Sequence, residues 1–197
     1  MNPNLIPQVE RLELLSPRGH FFGKINNNMK NWKKDKKMFF EIMIFTVLII
    51  VQIFLFIIFF NYGKILFLKY IGYFCWVLSA IFGWLPIYEL KKKGKVLKGK
   101  NYVHTTRLVT SGVYNIVRHP QFLAGVLLSL AFILISQHWY ILILGVPVMI
   151  ILYKDMFRAD EFGINKFGDD YKRYMEKVPR MNFFAGLMQS IKRKSSI

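Results

Sequence analysis

The sequence predicts an all-α integral membrane protein with about four transmembrane helices, and three observations carry that reading. Of 197 residues, 54% are hydrophobic and 17% aromatic, somewhat above an ordinary soluble domain. Lys and Arg number 28 against 11 Asp and Glu, a net charge of +17. Yet between residues 38 and 152 the only acids are Glu41 and Glu89, so apolar and charged residues occupy separate stretches. A disordered basic tail is excluded because it would lack this aromatic and aliphatic content. The lone Cys75 excludes a disulfide scaffold.

A helix needs about 20 apolar residues to cross the hydrocarbon. Residues 38–60 supply a first span, with Glu41 near one end and Gln52 inside. Residues 65–90 supply a second, more polar one, with Lys69 near its start; Pro86 is expected to bend or end it near the far interface. The third apolar stretch, 122–153, is too long for one span and is interrupted by Ser136, Gln137 and His138. Polar groups are costly in mid-membrane, so the interruption belongs at an interface. The spacing predicts a tight helical hairpin with arms at 122–135 and 140–157, the second bent by Pro147. Arms this short imply helical extensions beyond the bilayer or local thinning.

Charge then sets the orientation. Residues 1–37 carry eight Lys/Arg, residues 91–118 another eight and residues 154–197 ten, while the turn after the first span holds only Lys64 and Lys69. The positive-inside rule puts both termini and the 91–118 loop in the cytoplasm, with neither plasma membrane nor endoplasmic reticulum singled out. The organisation is a basic N-terminal segment (1–37), two spans (38–90), a core with the hairpin (91–182) and a basic C-terminal tail (183–197). No cleavable signal peptide is expected, since the first apolar run begins late and is too long. Sparse apolar residues in the N-terminal segment (Leu5, Ile6, Val9, Leu12, Leu14, Leu15) suit a short surface helix. Topology and anionic lipid account for the basic charge without nucleic acid.

Polar chemistry is concentrated on either side of the hairpin. Before it lies 104–122, which contains Arg118, His119 and Pro120; after it lies 158–174, which contains Arg158, Asp160 and Glu161, followed by Val178, Pro179 and Arg180. A hairpin brings its ends together, so His119 should face an acid, Glu161 above all. Each residue alone has a plainer explanation. Pro120 suits the first turn of a helix, Arg118 can snorkel to phosphates, and Gly163 and Gly168 can end helices. Asp160 and Glu161 can be solvated charges. Their joint placement, with six of the eleven acids between Asp155 and Glu176, favours a site. A metal is not expected: His20, His104, His119 and His138 show no ligand spacing. No nucleophile elbow, P-loop or dinucleotide fingerprint is present.

Taken in order, Leu108-Val109-Thr110-Ser111-Gly112-Val113-Tyr114, Arg118-His119-Pro120, the hairpin, Asp160-Glu161, Phe167-Gly168 with Tyr171, and Val178-Pro179-Arg180 resemble the isoprenylcysteine carboxyl methyltransferase and phospholipid methyltransferase superfamily. The resemblance covers residues 104–182. It implies S-adenosylmethionine as cofactor, held in a cytoplasmic pocket formed by the hairpin flanks and C-terminal segment, and a lipid or lipidated small molecule as acceptor. The implied cofactor-binding residues are Thr106, Arg107, Leu108, Val109, Tyr114, His119, Pro120, Gln121, Phe122, Asp160 and Glu161. Arg158 and Glu161 are the implied catalytic pair. The chain departs from the family in placing Arg158 three residues before Glu161 and His104 four before Leu108.

Elementary chemistry agrees with this set. A carboxylate can accept from the cofactor's ammonium or hydroxyls, and Tyr114 or Phe122 offers an aromatic face to a sulfonium. A carboxylate acceptor needs no base and suits an arginine partner; an amine or thiol must lose a proton. Two other classes fit less well: an NADPH-dependent reductase of the sterol-reductase kind, usually longer, and a non-enzymatic membrane adaptor.

Overall fold

The structure, a computed structural model, describes residues 39–95 and 105–195. The surface reading of residues 1–37 and any role for His104 lie outside the described residues. Within them the chain forms six α-helices and one 3-10 turn, with no strand. These are α1 (Phe39–Ile58), α2 (Leu66–Lys93), the turn Gly112–Asn115, α3 (Pro120–Ser136), α4 (Trp139–Phe167), α5 (Asp169–Lys177) and α6 (Phe183–Ser195). Chain contacts divide the protein into residues 1–47 and 48–197. The described part of the first unit is the opening of α1, where the Thr46 hydroxyl donates to the Ile42 carbonyl at 2.8 Å. The second unit contains the remaining elements.

By length and composition α1, α2 and α4, of 20, 28 and 29 residues, can each cross a membrane. The fourth apolar helix, α3, has 17 residues. α2 does not end at Pro86 but continues to Lys93, where the Gly94 N–H closes onto the Leu90 carbonyl at 2.9 Å. One proline removes one ladder bond, and here Pro86 is buried on the packed face of the helix. Lys91, Lys92 and Lys93 favour the helix's negative C-terminal end.

The buried residues of α2 are Gly72, Cys75, Ser79, Phe82 and Pro86, a three–four spacing that forms one seam. Small residues on that seam let the backbones approach, the usual solution where lipid gives no hydrophobic drive between helices. Ser79 donates to the Ala124 carbonyl of α3 at 2.8 Å, and a Cβ at Gly72 would lie 2.7 Å from Ile135. α3 therefore runs antiparallel to α2. It is also antiparallel to α4, since Gly125 meets Leu152 and the Ser129 hydroxyl reaches the Gly145 carbonyl at 3.3 Å. Gln52 of α1 is 2% exposed and donates to Ser129 at 2.8 Å. This knot satisfies a polar group that would be expensive in hydrocarbon.

The link from α3 to α4 is Gln137 and His138. Gln137 adopts the left-handed conformation (φ 52) that ends α3, and its amide brackets Ile65, accepting from the N–H at 3.0 Å and donating to the carbonyl at 2.7 Å. His138 caps α4 by accepting from the Tyr140 N–H at 3.3 Å, and its ring stacks on Phe59 at 3.8 Å. The two helices begin and end close to the positions read from the sequence, except that α4 extends ten residues past Phe157. Its buried stripe explains the extension: Ile141, Gly145, Val148, Leu152, Met156, Asp160 and Gly163 recur at three and four residues along a single face.

Gly168 (φ 60, ψ −133) stops α4 in a conformation reserved for glycine and starts α5 at once. α5 folds back so that the Tyr171 ring fills the space above Gly163. The stretch 183–197, read from sequence as a basic tail, is helical from Phe183 to Ser195, and Phe183 packs edge-on to Phe82 of α2 at 5.4 Å.

Candidate active site

Two non-helical pieces of backbone meet beside the start of α3. The Arg118 N–H donates to the Pro179 carbonyl at 3.0 Å and the His119 N–H to the Arg180 carbonyl at 3.2 Å. Pro120, which lacks an N–H, occupies the first turn of α3 and is fully buried. With its backbone held this way, the His119 side chain is directed at α4 and leaves the helix end uncapped.

There it meets Asp160, 3% exposed, whose two oxygens take four donors. Oδ1 accepts from Tyr171 Oη at 2.9 Å and contacts His119 Nε2 at 2.7 Å. Oδ2 accepts from Arg118 at 3.2 Å and from Arg180 Nε at 2.8 Å. Arg118 also donates to the Met175 carbonyl at 2.8 Å, and its Nε is buried without a partner. Arg180 lies over the Phe157 ring, 3.9 Å from the centroid. Burial together with the neighbouring carboxylate raises the Tyr171 phenol well above its usual value, and burial raises Tyr174 likewise. Tyr174 donates to the Tyr114 carbonyl at 2.6 Å. One carboxylate thus ties α3, α4, α5 and the 178–180 segment together.

Among the residues singled out by sequence, Asp160, His119 and Pro120 come together here, with Phe122 edge-on to His119 at 5.7 Å. Gln121 is half-buried in the first turn of α3. Glu161 and Arg158 lie elsewhere on α4. Both are exposed, and Arg158 pairs with Asp155 at 2.8 Å. Successive helix residues point about 100° apart, so only one of Asp160 and Glu161 can lie on the buried stripe, and it is Asp160. Thr106 and Arg107 are exposed and hang by their N–H groups from the Gly94 carbonyl at 3.0 and 3.2 Å. Leu108 packs against the Tyr171–Tyr174–Val178 cluster, and Val109 is buried. Tyr114 lies half-buried in the 3-10 turn.

Tyr171 and Arg180 were quoted only as parts of a motif, yet they complete the cluster. The α4 stripe could have selected Asp160 from sequence alone, because Leu152, Met156 and Asp160 fall at steps of four. Glu89 was also missed: its carboxylate lies directly beneath Gly112 (φ 63), 2.6 Å from Lys93 Nζ, which in turn donates to Ser111 at 3.0 Å. A side chain at Gly112 would be strained by that φ and would press on Glu89.

Two cavities flank the cluster. A polar one of about 250 Å³ is lined by Thr110, Asn115, Asp170, Arg173, Tyr174 and Arg193. An apolar one of about 430 Å³ lies between α3 and α4, lined by Val126, Met149, Ile150, Phe157 and Met181, with Lys154 among its residues. Among the described residues no group of three His, Cys, Asp or Glu is placed to hold a metal ion.

Residues 67–161 match the phospholipid methyltransferase family model. The match is consistent with the isoprenylcysteine carboxyl methyltransferase and phospholipid methyltransferase superfamily that the motifs resemble. No match was found among curated proteins or among solved structures. The phospholipid methyltransferase match covers just under half of the chain. It runs from the start of α2 through Glu161, taking in Glu89, Arg118, His119 and Asp160, and stops before Tyr171 and Arg180. With several apolar helices, it supports a membrane-embedded methyltransferase acting on phospholipid or similar substrates.

Proposed function

We propose that this protein transfers a methyl group from S-adenosylmethionine to a lipid-like or prenylcysteine-like acceptor, by O-methylation of a carboxylate or N-methylation of a headgroup amine. The observation that carries this reading is the meeting of unlike surroundings at Phe157. Phe157 lines the apolar cavity, and Arg180, bound to Asp160, lies over the same ring. A lipid chain suits the first environment and a polar cofactor the second.

The residues present fit S-adenosylmethionine. Arg118 and Arg180 outnumber the single acid between them, and the buried Nε of Arg118 lacks a partner. That leaves a cationic surplus for a carboxylate. The polar cavity is lined by Asp170, paired with Arg173, and by Asn115 of the 3-10 turn, groups that an ammonium and hydroxyls can use. Thr106, Arg107, Leu108, Val109, Tyr114, His119, Gln121 and Phe122 would complete its surroundings. When bound, the cofactor supplies an electrophilic methyl group on a sulfonium.

The chain's own contribution is alignment, the main requirement of an in-line displacement. Asp160, with both oxygens engaged by donors, is a positioning residue. Glu161, exposed one residue on, is the carboxylate left to hold cofactor or to take a proton from an amine. Arg158 orients a carboxylate acceptor. α3 and α4 act as a hairpin within a four-span protein whose termini and cofactor pocket face the cytoplasm, as the distribution of basic residues favours.

The test is to incubate membranes carrying the protein with methyl-labelled S-adenosylmethionine and separate lipid, prenylated peptide and volatile products. Label in lipid or prenylated peptide supports the reading, and base-labile label marks an ester. Absence of transfer, combined with binding of NADPH to the purified protein, overturns it in favour of a reductase.

A further inference from the structure

Among the described residues the outer face of α6 has no partner. Phe184, Leu187, Met188 and Ile191 recur at three and four residues and are all exposed, Phe184 at 78% and Met188 at 63%. The opposite face is fastened down. Gly186 sits so close to the Ile116 carbonyl that no Cβ would fit. Ser190 accepts from the Asn115 amide at 2.7 Å, and Arg193 donates to the Asn115 carbonyl at 2.7 Å.

We propose that α6 lies in the plane of the membrane surface, with this apolar stripe in the lipid and the positive charge of its C-terminal end toward anionic headgroups. Two observations choose lipid as the occupant. The first is depth along α2: α6 begins at Phe183, which packs on the buried Phe82, within two turns of the exposed Trp84 and Tyr88. Exposed Trp and Tyr near the end of an apolar helix mark the headgroup level. The second is charge: residues 183–197 carry Lys192, Arg193 and Lys194 and no acid. An apolar stripe leading into a basic run of sequence is the pattern of an interfacial helix, and anionic leaflets attract such residues.

The inner face gives the docking a consequence, which rests on the function proposed above. Arg193 and Asn115 both line the polar cavity. Seating α6 on the membrane therefore steadies the turn Gly112–Asn115 and one wall of the cofactor pocket, so that anionic lipid favours cofactor binding.

The experiment uses the full chain in nanodiscs of phosphatidylcholine alone or mixed with phosphatidylglycerol, with a fluorophore on Met188→Cys or, as control, on Gln189→Cys. Gln189 is exposed but points away from the stripe. The native Cys75 is buried. Quenching by lipid-borne bromine is expected to be several-fold stronger at position 188 than at 189, and stronger again with phosphatidylglycerol. Equal quenching at the two positions overturns the docking, as does disulfide cross-linking of two copies through position 188. Equal quenching at 188 in the two lipid mixtures overturns the role of anionic headgroups. None of these readouts depends on methyl transfer, so the docking and the proposed activity can fail separately.

Discussion

His119 Nε2 lies 2.7 Å from Asp160 Oδ1 across 41 residues of sequence, where the start of α3 meets the last turns of α4. The Asp160 carboxylate also holds Arg118, Arg180 and Tyr171. Asp160→Asn would leave two buried or half-buried guanidiniums without their acid. Removing one partner from a buried ionic cluster costs about 3–5 kcal/mol. The expected outcome is a large loss of thermal stability in detergent, together with loss of cofactor affinity. An Asp160→Asn protein that melts like the parent would show that the cluster does not hold the fold.

Much of this arrangement was legible in the sequence, and the limits have physical causes. The segregation of charge from apolar residues located the apolar helices, and the polar break at Ser136–His138 located the link between α3 and α4. Choosing between Asp160 and Glu161 required the helical phase: α4 had to continue unbroken past Phe157 for Met156 to predict Asp160. Arg180 and Tyr171 were harder to place, because each reaches the site through a change of chain direction, at Val178–Arg180 and at Gly168. No periodicity carries across such a turn. Glu89 was noted only as a rare acid, since its contact with Gly112 depends on a loop geometry that residue spacing does not encode.

Glu161 and Arg158 offer the contrasting case. Both are exposed, and substitutions at such positions usually change stability by less than about 0.5 kcal/mol. Glu161→Gln and Arg158→Ala should therefore melt like the parent while methyl transfer falls by about tenfold or more, a loss of roughly 1.4 kcal/mol in transition-state stabilisation. Unchanged transfer rates in both variants would remove these residues from the proposed chemistry.

Tyr171 and Tyr174 make alkaline stability a readout of the cluster. Both phenols are raised above the usual value near 10. A raised folded value means that the protonated form is favoured by folding. The contribution is complete below about pH 10 and is lost as pH rises above it. Tyrosinate absorbance from these two residues should appear only as the protein unfolds in strong alkali. Tyr171→Phe should lower stability by about 1–3 kcal/mol, the loss of one donor to a buried acceptor. It should also reduce the alkaline loss.

Within the helical body, the polar knot of Gln52, Ser129 and Gly145 can be tested by additivity. Interhelical hydrogen bonds of this kind contribute about 0.6 kcal/mol on average and up to roughly 1.7. Gln52→Leu leaves the Ser129 hydroxyl its bond to the Gly145 carbonyl at 3.3 Å, so a loss near 1 kcal/mol is expected. Ser129→Ala instead strands the fully buried Gln52 amide, an unsatisfied group in hydrocarbon, and should cost more. Once Gln52 is Leu, the Ser129→Ala change has little left to break, so the double variant should lose less than the two single losses combined. Unfolding in detergent of the four proteins measures the coupling directly. Strictly additive losses would mean that Gln52 and Ser129 do not share the bond that joins α1 to α3.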